Sequence, residues 1–309
     1  MEHHVAEIMR SHHHGLAHRR ELMRAGCTRG DLDSAWRDGV IERVRHGLYA
    51  LPGLPEPVLR AARVGGVLAG SSSLSLRGAW APPAARLVLS VRHNARDLRH
   101  PDDAGRRLDR DHPDVLVLRD GATLAPSERL TVSPSRAAAQ VLLHETVTAA
   151  IAAVDSALRL QPRERPVLET VARLLDGKPA SALLALLDAR AESGTESAAR
   201  VRLVAQGLRP EIQVPVAPGI RVDLLLDGWL VVECTSYEFH GSPRQYEKDR
   251  ARIAALIALG YVVVEVSYHQ VFEDWDSVWA AITRLLARGR PQNPTSRAAM
   301  RGNPATDHA

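Results

Sequence analysis

The stretch RVDLLLDGWLVVECTSYEFHG, residues 221–241, sets two acids, Asp223 and Glu233, inside apolar runs that flank an Asp227-Gly228 turn signal. A carboxylate buried without a partner is costly, so acids in such runs call for a metal ion, an arginine or a helix end. Two carboxylates on neighbouring strands suit a hard divalent cation, Mg²⁺ or Mn²⁺. Such an ion can activate water against a phosphodiester.

That chemistry requires both side chains on one face of the sheet, and strand register decides it. A two-residue loop, Asp227-Gly228, pairs Leu226 with Trp229 and turns the two acids to opposite faces. A three-residue loop, Leu226-Asp227-Gly228, pairs Leu225 with Trp229 and places Asp223 on the face of Val231, Glu233 and Thr235. The metal reading therefore demands the longer loop. The alternative reading pairs Asp223 with Arg221 or Arg250 and leaves Glu233 at an open strand end. Spacing alone leaves both open.

The elements that must position these acids form an α/β series. Thr195 is placed to cap a helix running to about Gly207. Strands follow over 211–216, 221–226 and 230–235, then a helix over 243–259, a strand over 261–266 and a last helix over 275–287. Helix, three-strand meander, helix, strand and helix make an α/β sandwich. Lys248, on the fourth of these elements to follow the first helix, is one of two lysines in the chain and brings a positive charge to that helix.

A second set of chemistry-bearing residues lies near the N-terminus. Arg19–Ala25 reads as a short amphipathic helix stopped by Gly26. Thr28 and Asp31 have the spacing of a capping box, which opens a second helix over 29–38. Leu32, Ala35 and Trp36 are expected inward, with Arg29, Ser34 and Arg37 outward. Val40–Tyr49, turning at Arg45-His46-Gly47, reads as a hairpin carrying Arg43, Arg45 and His46. Helix, turn, helix and hairpin is the order of a winged helix-turn-helix, in which the second helix enters the major groove and basic wing residues reach phosphates. The candidate DNA-binding residues are thus Arg29, Arg37, Arg43, Arg45 and His46, and the partner they suit is double-stranded DNA.

Between these regions, residues 58–190 read as an α+β module. Two helices cover 58–80, strands cover 87–91 and 115–118, and Ala-Leu-rich helices follow. Asp102, Asp103, Asp109 and Asp111 sit among arginines in a polar run and read as a solvated loop. Residues 1–17 are expected to be a disordered histidine-rich leader, and residues 289–309, polar and proline-bearing, a disordered tail.

Composition bounds the rest. The chain has 309 residues, 45% hydrophobic, with a formal net charge of +4 carried almost wholly by arginine, a good phosphate ligand. No apolar stretch approaches the length of a membrane helix, and no secretory signal core opens the sequence. The two cysteines, Cys27 and Cys234, make neither a zinc pattern nor a disulfide framework. A cytoplasmic location is expected, with no membrane partner.

Residues 19–53, RRELMRAGCTRGDLDSAWRDGVIERVRHGLYALPG, resemble the N-terminal winged helix of the AbiEi-type antitoxin and regulator family, and the middle module is similar to its second domain. The resemblance implies promoter DNA as ligand, a homodimer and a cognate toxin. Residues 193–288 resemble a domain of unknown function related to very-short-patch-repair endonucleases, with the restriction-endonuclease-like PD-(D/E)xK core. The pieces that carry it are GTESAARVRLVAQGL, EIQVPV, RVDLLLDGWLVVECTSYEFHG and YEKDRARIAALIALGYVVVEVSYHQV. It implies Asp223 and Glu233 as metal ligands, Glu196 at the same site, and His240 as an acid/base group or phosphate contact. Lys248 would supply the positive charge. Three departures stand out: Glu233-Cys234-Thr235-Ser236 replaces the family's E-V-D-G, Thr235 occupies the place where the broader nuclease family carries Lys or an acid, and Ala251-Arg252-Ile253 replaces R-R-D. The sequence thus offers two functions, a metal-dependent endodeoxyribonuclease or a non-catalytic regulator with a nuclease-like domain.

Overall fold

A computed structural model describes residues 4–82, 86–120, 128–235 and 243–291, with three small sheets among its helices. The chain divides into two compact units, residues 1–187 and 188–309.

The first unit opens with helix α1 (His4–His13), strand β1 (Leu16–His18), helices α2 (Arg19–Arg24) and α3 (Arg29–Arg37), and the hairpin β2 (Glu42–Arg45) and β3 (Leu48–Ala50). The sheet order is β1-β3-β2, antiparallel throughout. Residues 4–13, expected to be disordered, are therefore helical. Val5, Ile8 and Met9 recur at helical spacing and are buried against Leu22, Leu32 and Ile41. The histidines fill the other face and hid that stripe in the composition. The capping box of α3 forms as expected: Asp31 N–H donates to Thr28 Oγ1 at 3.2 Å, and Thr28 N–H donates to Asp31 Oδ2 at 2.7 Å.

The unit continues through α4 (Glu56–Val64), β4 (Val67–Leu68), α5 (Gly70–Leu76), β5 (Leu87–Ser90), β6 (Val115–Leu118), α6 (Pro134–His144), α7 (Val147–Leu158), α8 (Leu168–Leu174) and a 3-10 helix, Pro179–Leu186. Strand β5 pairs antiparallel with β4 and parallel with β6. Thr131 adds an isolated bridge to Leu68. A partly buried polar network ties the module together. Asp120 accepts from Ser90 Oγ at 2.6 Å and Gln140 Nε2 at 2.5 Å and pairs with Arg136 at 2.8 Å, while Gln140 Oε1 accepts from Gly70 N–H at 3.0 Å. These bonds hold Asp120 below the usual carboxylate range against the opposing effect of burial.

The second unit runs α9 (Gly194–Ala205), β7 (Glu211–Ala217), β8 (Ile220–Leu226), β9 (Leu230–Thr235), α10 (Pro243–Ala258), β10 (Val262–Ser267), α11 (Tyr268–Phe272) and α12 (Trp275–Arg288). Its sheet has the order β10-β9-β8-β7, with β10 parallel to β9 and the rest antiparallel. Leu224, Leu226, Leu230 and Val232 pack with Ala198 and Leu203 of α9 and with Val278 and Ile282 of α12. Leu225 and Val231, one residue out of phase, pack with Leu256 and Ile253 of α10. The result is a sheet covered by helices on both faces. The N-cap of α9 is Ser193, whose hydroxyl accepts from Glu196 N–H at 3.1 Å; Thr195 lies inside the helix and is buried. Residues 292–309, including most of the expected tail, lie outside the described residues.

Candidate functional site

The Asp-Gly turn fixes the geometry of the acids. Asp227 and Gly228 both take positive φ, 49° and 70°, and Trp229 N–H donates to Leu226 O at 3.1 Å. This is the primed turn that Asp-Gly favours. It pairs Leu226 with Leu230, Leu225 with Val231 and Leu224 with Val232. The loop has three residues, as the shared face requires, but they are Asp227-Gly228-Trp229 rather than Leu226-Asp227-Gly228. The ladder pairing ends there, beside Asp223 and Glu233; Val222 packs on the α10 side and Leu224 on the other, so the regular alternation of β8 breaks at Asp223.

The row extends across the sheet. On β7, Gln213 stands opposite Asp223 by the pairing of Ile212 with Leu224 and Val214 with Val222. On β10, Glu265 is the partner of Glu233. Gln213 Nε2 donates to Glu196 Oε2 at 2.6 Å and reaches Asp223 Oδ1 at 3.5 Å. Asp223 Oδ2 accepts from Cys234 N–H at 2.9 Å. Glu196 Oε2 also accepts from Glu192 N–H at 2.8 Å. The structure therefore links Glu196 and Asp223 through Gln213 and places Glu233 near enough for its charge to act on Asp223.

Helix α10 supplies the countercharge. Arg252 Nη2 donates to Glu233 Oε2 at 2.5 Å, and Arg250 forks onto Glu265 at 2.7 and 3.1 Å. The arginines weighed for Asp223 go elsewhere: Arg221 pairs with Glu192 at 2.5 Å, and Arg250 with Glu265. Lys248 is exposed and takes no part in the row. His240 lies outside the described residues. Arg252 and Gln213 are the members that sequence reasoning missed. Arg252 was visible as the residue left where the R-R-D triplet is broken; Gln213 gave no signal.

Electrostatics follow from this packing. Glu233 is 2% exposed and Glu196 5%. Burial and then the Glu233 charge push Asp223 up to about 6. Burial and then Asp223 raise Glu196, while burial raises Glu233 against the lowering effect of Arg252. Burial, and then the neighbouring Asp223, push the Cys234 thiol well above its usual value, which favours the unreactive thiol over the thiolate.

Other partners take some of the oxygens that a divalent ion would use here. Glu233 presents one oxygen to a guanidinium, and Asp223 has one oxygen committed to a backbone N–H. Among the described residues, no group of three or more His, Cys, Asp and Glu side chains is disposed to hold a metal ion. Glu233 Oε1 is buried with no hydrogen-bond partner among them.

In the first unit, Arg29 and Arg37 are exposed on α3, as is Asp33 between them. Trp36, expected inward, is 52% exposed beside Arg37. Leu32 and Ala35 alone define the buried stripe, and Trp36 lies a further ~100° around the helix. In the wing, Arg43 Nη2 meets His46 Nδ1 at 3.1 Å, and both residues are exposed. Arg45 departs from expectation. Its Nη1 donates to the carbonyls of Arg63 at 3.4 Å and Val64 at 3.0 Å, capping the end of α4. Gly65, at φ 113°, allows this, because any Cβ there would overlap Arg45 Nη1. Arg45 is thus a structural residue rather than a free phosphate ligand.

No helix among the described residues is long and apolar enough to cross a membrane. Comparison with known proteins adds two findings. Residues 6–52, which span α1 to β3, match the family described as "Transcriptional regulator, AbiEi antitoxin". Over 277 residues the chain is 31% identical to "Uncharacterized protein MT2308" of Mycobacterium tuberculosis (strain CDC 1551 / Oshkosh). It is equally similar to "Uncharacterized protein Rv2248" of strain ATCC 25618 / H37Rv. Each alignment covers 85% of this chain and 98% of the relative.

Proposed function

We propose that this chain, which belongs to one family with those two mycobacterial proteins, is a DNA-binding transcriptional regulator whose second unit is non-catalytic. The observation that carries the reading is the coincidence of the AbiEi antitoxin match, residues 6–52, with a helix-turn-helix and wing whose exposed face bears Arg29, Trp36 and Arg37. A helix of this kind offers guanidinium forks to guanine edges or phosphates, and the wing adds Arg43 and His46. The ligand is double-stranded DNA. A cognate toxin is the protein partner that the antitoxin part of the family description suggests, and a symmetric dimer would match a palindromic site.

In the second unit, Arg252 and Arg250 act as fixed countercharges to Glu233 and Glu265, so the acid row is a structural device that joins α10 to the sheet. A second reading, a Mg²⁺-dependent endonuclease core, is favoured by one observation: Glu233 Oε1 is buried without a hydrogen-bond partner among the described residues, close enough to Asp223 for its charge to raise that acid. The guanidinium on the other oxygen of Glu233 weighs against it.

Fluorescence anisotropy of the full chain on the DNA upstream of its own gene, against a scrambled duplex, tests the regulator reading. Binding should favour the native sequence and weaken steeply as salt rises. Arg29→Ala with Arg37→Ala should cost the preference, with a loss of about 2–4 kcal/mol if each makes a good base contact. Equal binding to both duplexes, unaffected by the double substitution, would overturn it.

A further inference from the structure

We propose that the cleft walled by the wing, the start of α2 and the segment after β5 is a seat for DNA phosphates, so that the middle module grips the duplex alongside the winged helix. The cleft has a volume of about 450 Å³, and five arginines and two glutamates line it. Both acids are already taken. Glu21 is forked by Arg129 at 2.9 and 3.0 Å, and Glu128 accepts from Ser133 N–H at 2.7 Å and pairs with Arg136 at 3.4 Å. Arg45 is committed to the end of α4.

That leaves Arg20, Arg92 and Arg96, all exposed. They come from two distant stretches of sequence and meet in one concavity. A cleft lined by one sign of charge focuses its field on whatever enters, more strongly than the same arginines spread over a flat face. The ligand it suits carries several phosphates, and guanidinium groups bind these in forked pairs. His46 decides the source. It belongs at once to the wing turn and to the cleft wall. A strand whose phosphates touch the wing therefore runs directly past Arg92 and Arg96.

The inference rests on the DNA-binding reading above, and its test separates the two. The substitutions are Arg92→Ala with Arg96→Ala, compared with a charge-matched control, Arg163→Ala with Arg165→Ala, exposed residues that do not line the cleft. Anisotropy titrations on the native and scrambled duplexes are run across a range of salt. The cleft variant should bind both duplexes roughly tenfold more weakly, with the slope of log affinity against log salt shallower by about 2. Sequence preference should survive, because these contacts reach the backbone. The control should bind as the unaltered chain does. If the unaltered chain binds neither duplex, the parent reading has failed. If it binds with preference and the cleft variant matches it in affinity and slope, the cleft proposal alone is overturned. A thermal stabilisation by inorganic phosphate or ATP that vanishes in the cleft variant while DNA affinity stays unchanged also overturns it, and assigns the cleft to a small anion.

Discussion

At the scale of single residues, Arg252 decides how the second unit is read. A buried carboxylate with an arginine on one oxygen behaves unlike one awaiting a cation, and removing the arginine should expose the difference. Arg252→Ala leaves Glu233, 2% exposed, without its countercharge. The expected loss is about 2–3 kcal/mol of unfolding free energy, at the low end for a broken buried pair because the Arg252 side chain is itself partly exposed. Adding Glu233→Gln should restore much of it, as measured by denaturant unfolding. A second prediction concerns pH. Asp223 titrates near 6 in the folded chain against an ordinary value of 3.8. Its folded pKa is raised, so its stabilising contribution is complete below about pH 4 and is lost as pH rises through 6. Raised Glu196 and Glu233 act in the same direction. Unfolding free energy should therefore fall from about pH 4 to pH 7, and Asp223→Asn should remove about 2–3 kcal/mol of that fall. A variant with the same pH profile as the unaltered chain would show that Asp223 is not perturbed.

At the scale of elements, α3 depends on its cap. Thr28→Ala removes the hydroxyl that accepts from Asp31 N–H and should lower stability by about 1 kcal/mol, and with it DNA affinity, because α3 carries Arg29 and Arg37. Thr28→Ser should retain both. This capping box was legible in the sequence, since it needs only four consecutive residues. The β8–β9 turn itself was legible at Asp227-Gly228, but not its parity, because two- and three-residue loops both fit that dipeptide. The face of Trp36 was not. Leu32 and Ala35 settle the buried stripe of so short a helix, and no periodicity says which neighbour of Ala35 joins them. The helix at residues 4–13 was hidden for the opposite reason, since its four buried apolar residues are outnumbered by polar ones in composition yet recur at the right spacing. Arg45 and Arg252 mark a harder limit. Each is defined by a partner distant in sequence, the end of α4 for one and β9 for the other. Local pattern carries no record of such pairings.

At the scale of the whole molecule, the two units carry separate chemistry: a basic surface in residues 1–187, which we propose binds DNA, and an acid row countered by arginines in residues 188–309. The most direct test incubates the full chain with supercoiled plasmid carrying its upstream DNA, in Mg²⁺, in Mn²⁺ and in EDTA, and follows binding and strand integrity in the same samples. Equal binding in all three, with the plasmid intact, is the predicted result. Nicking that needs the metal and disappears in Asp223→Ala would contradict it and return the acid row to catalysis.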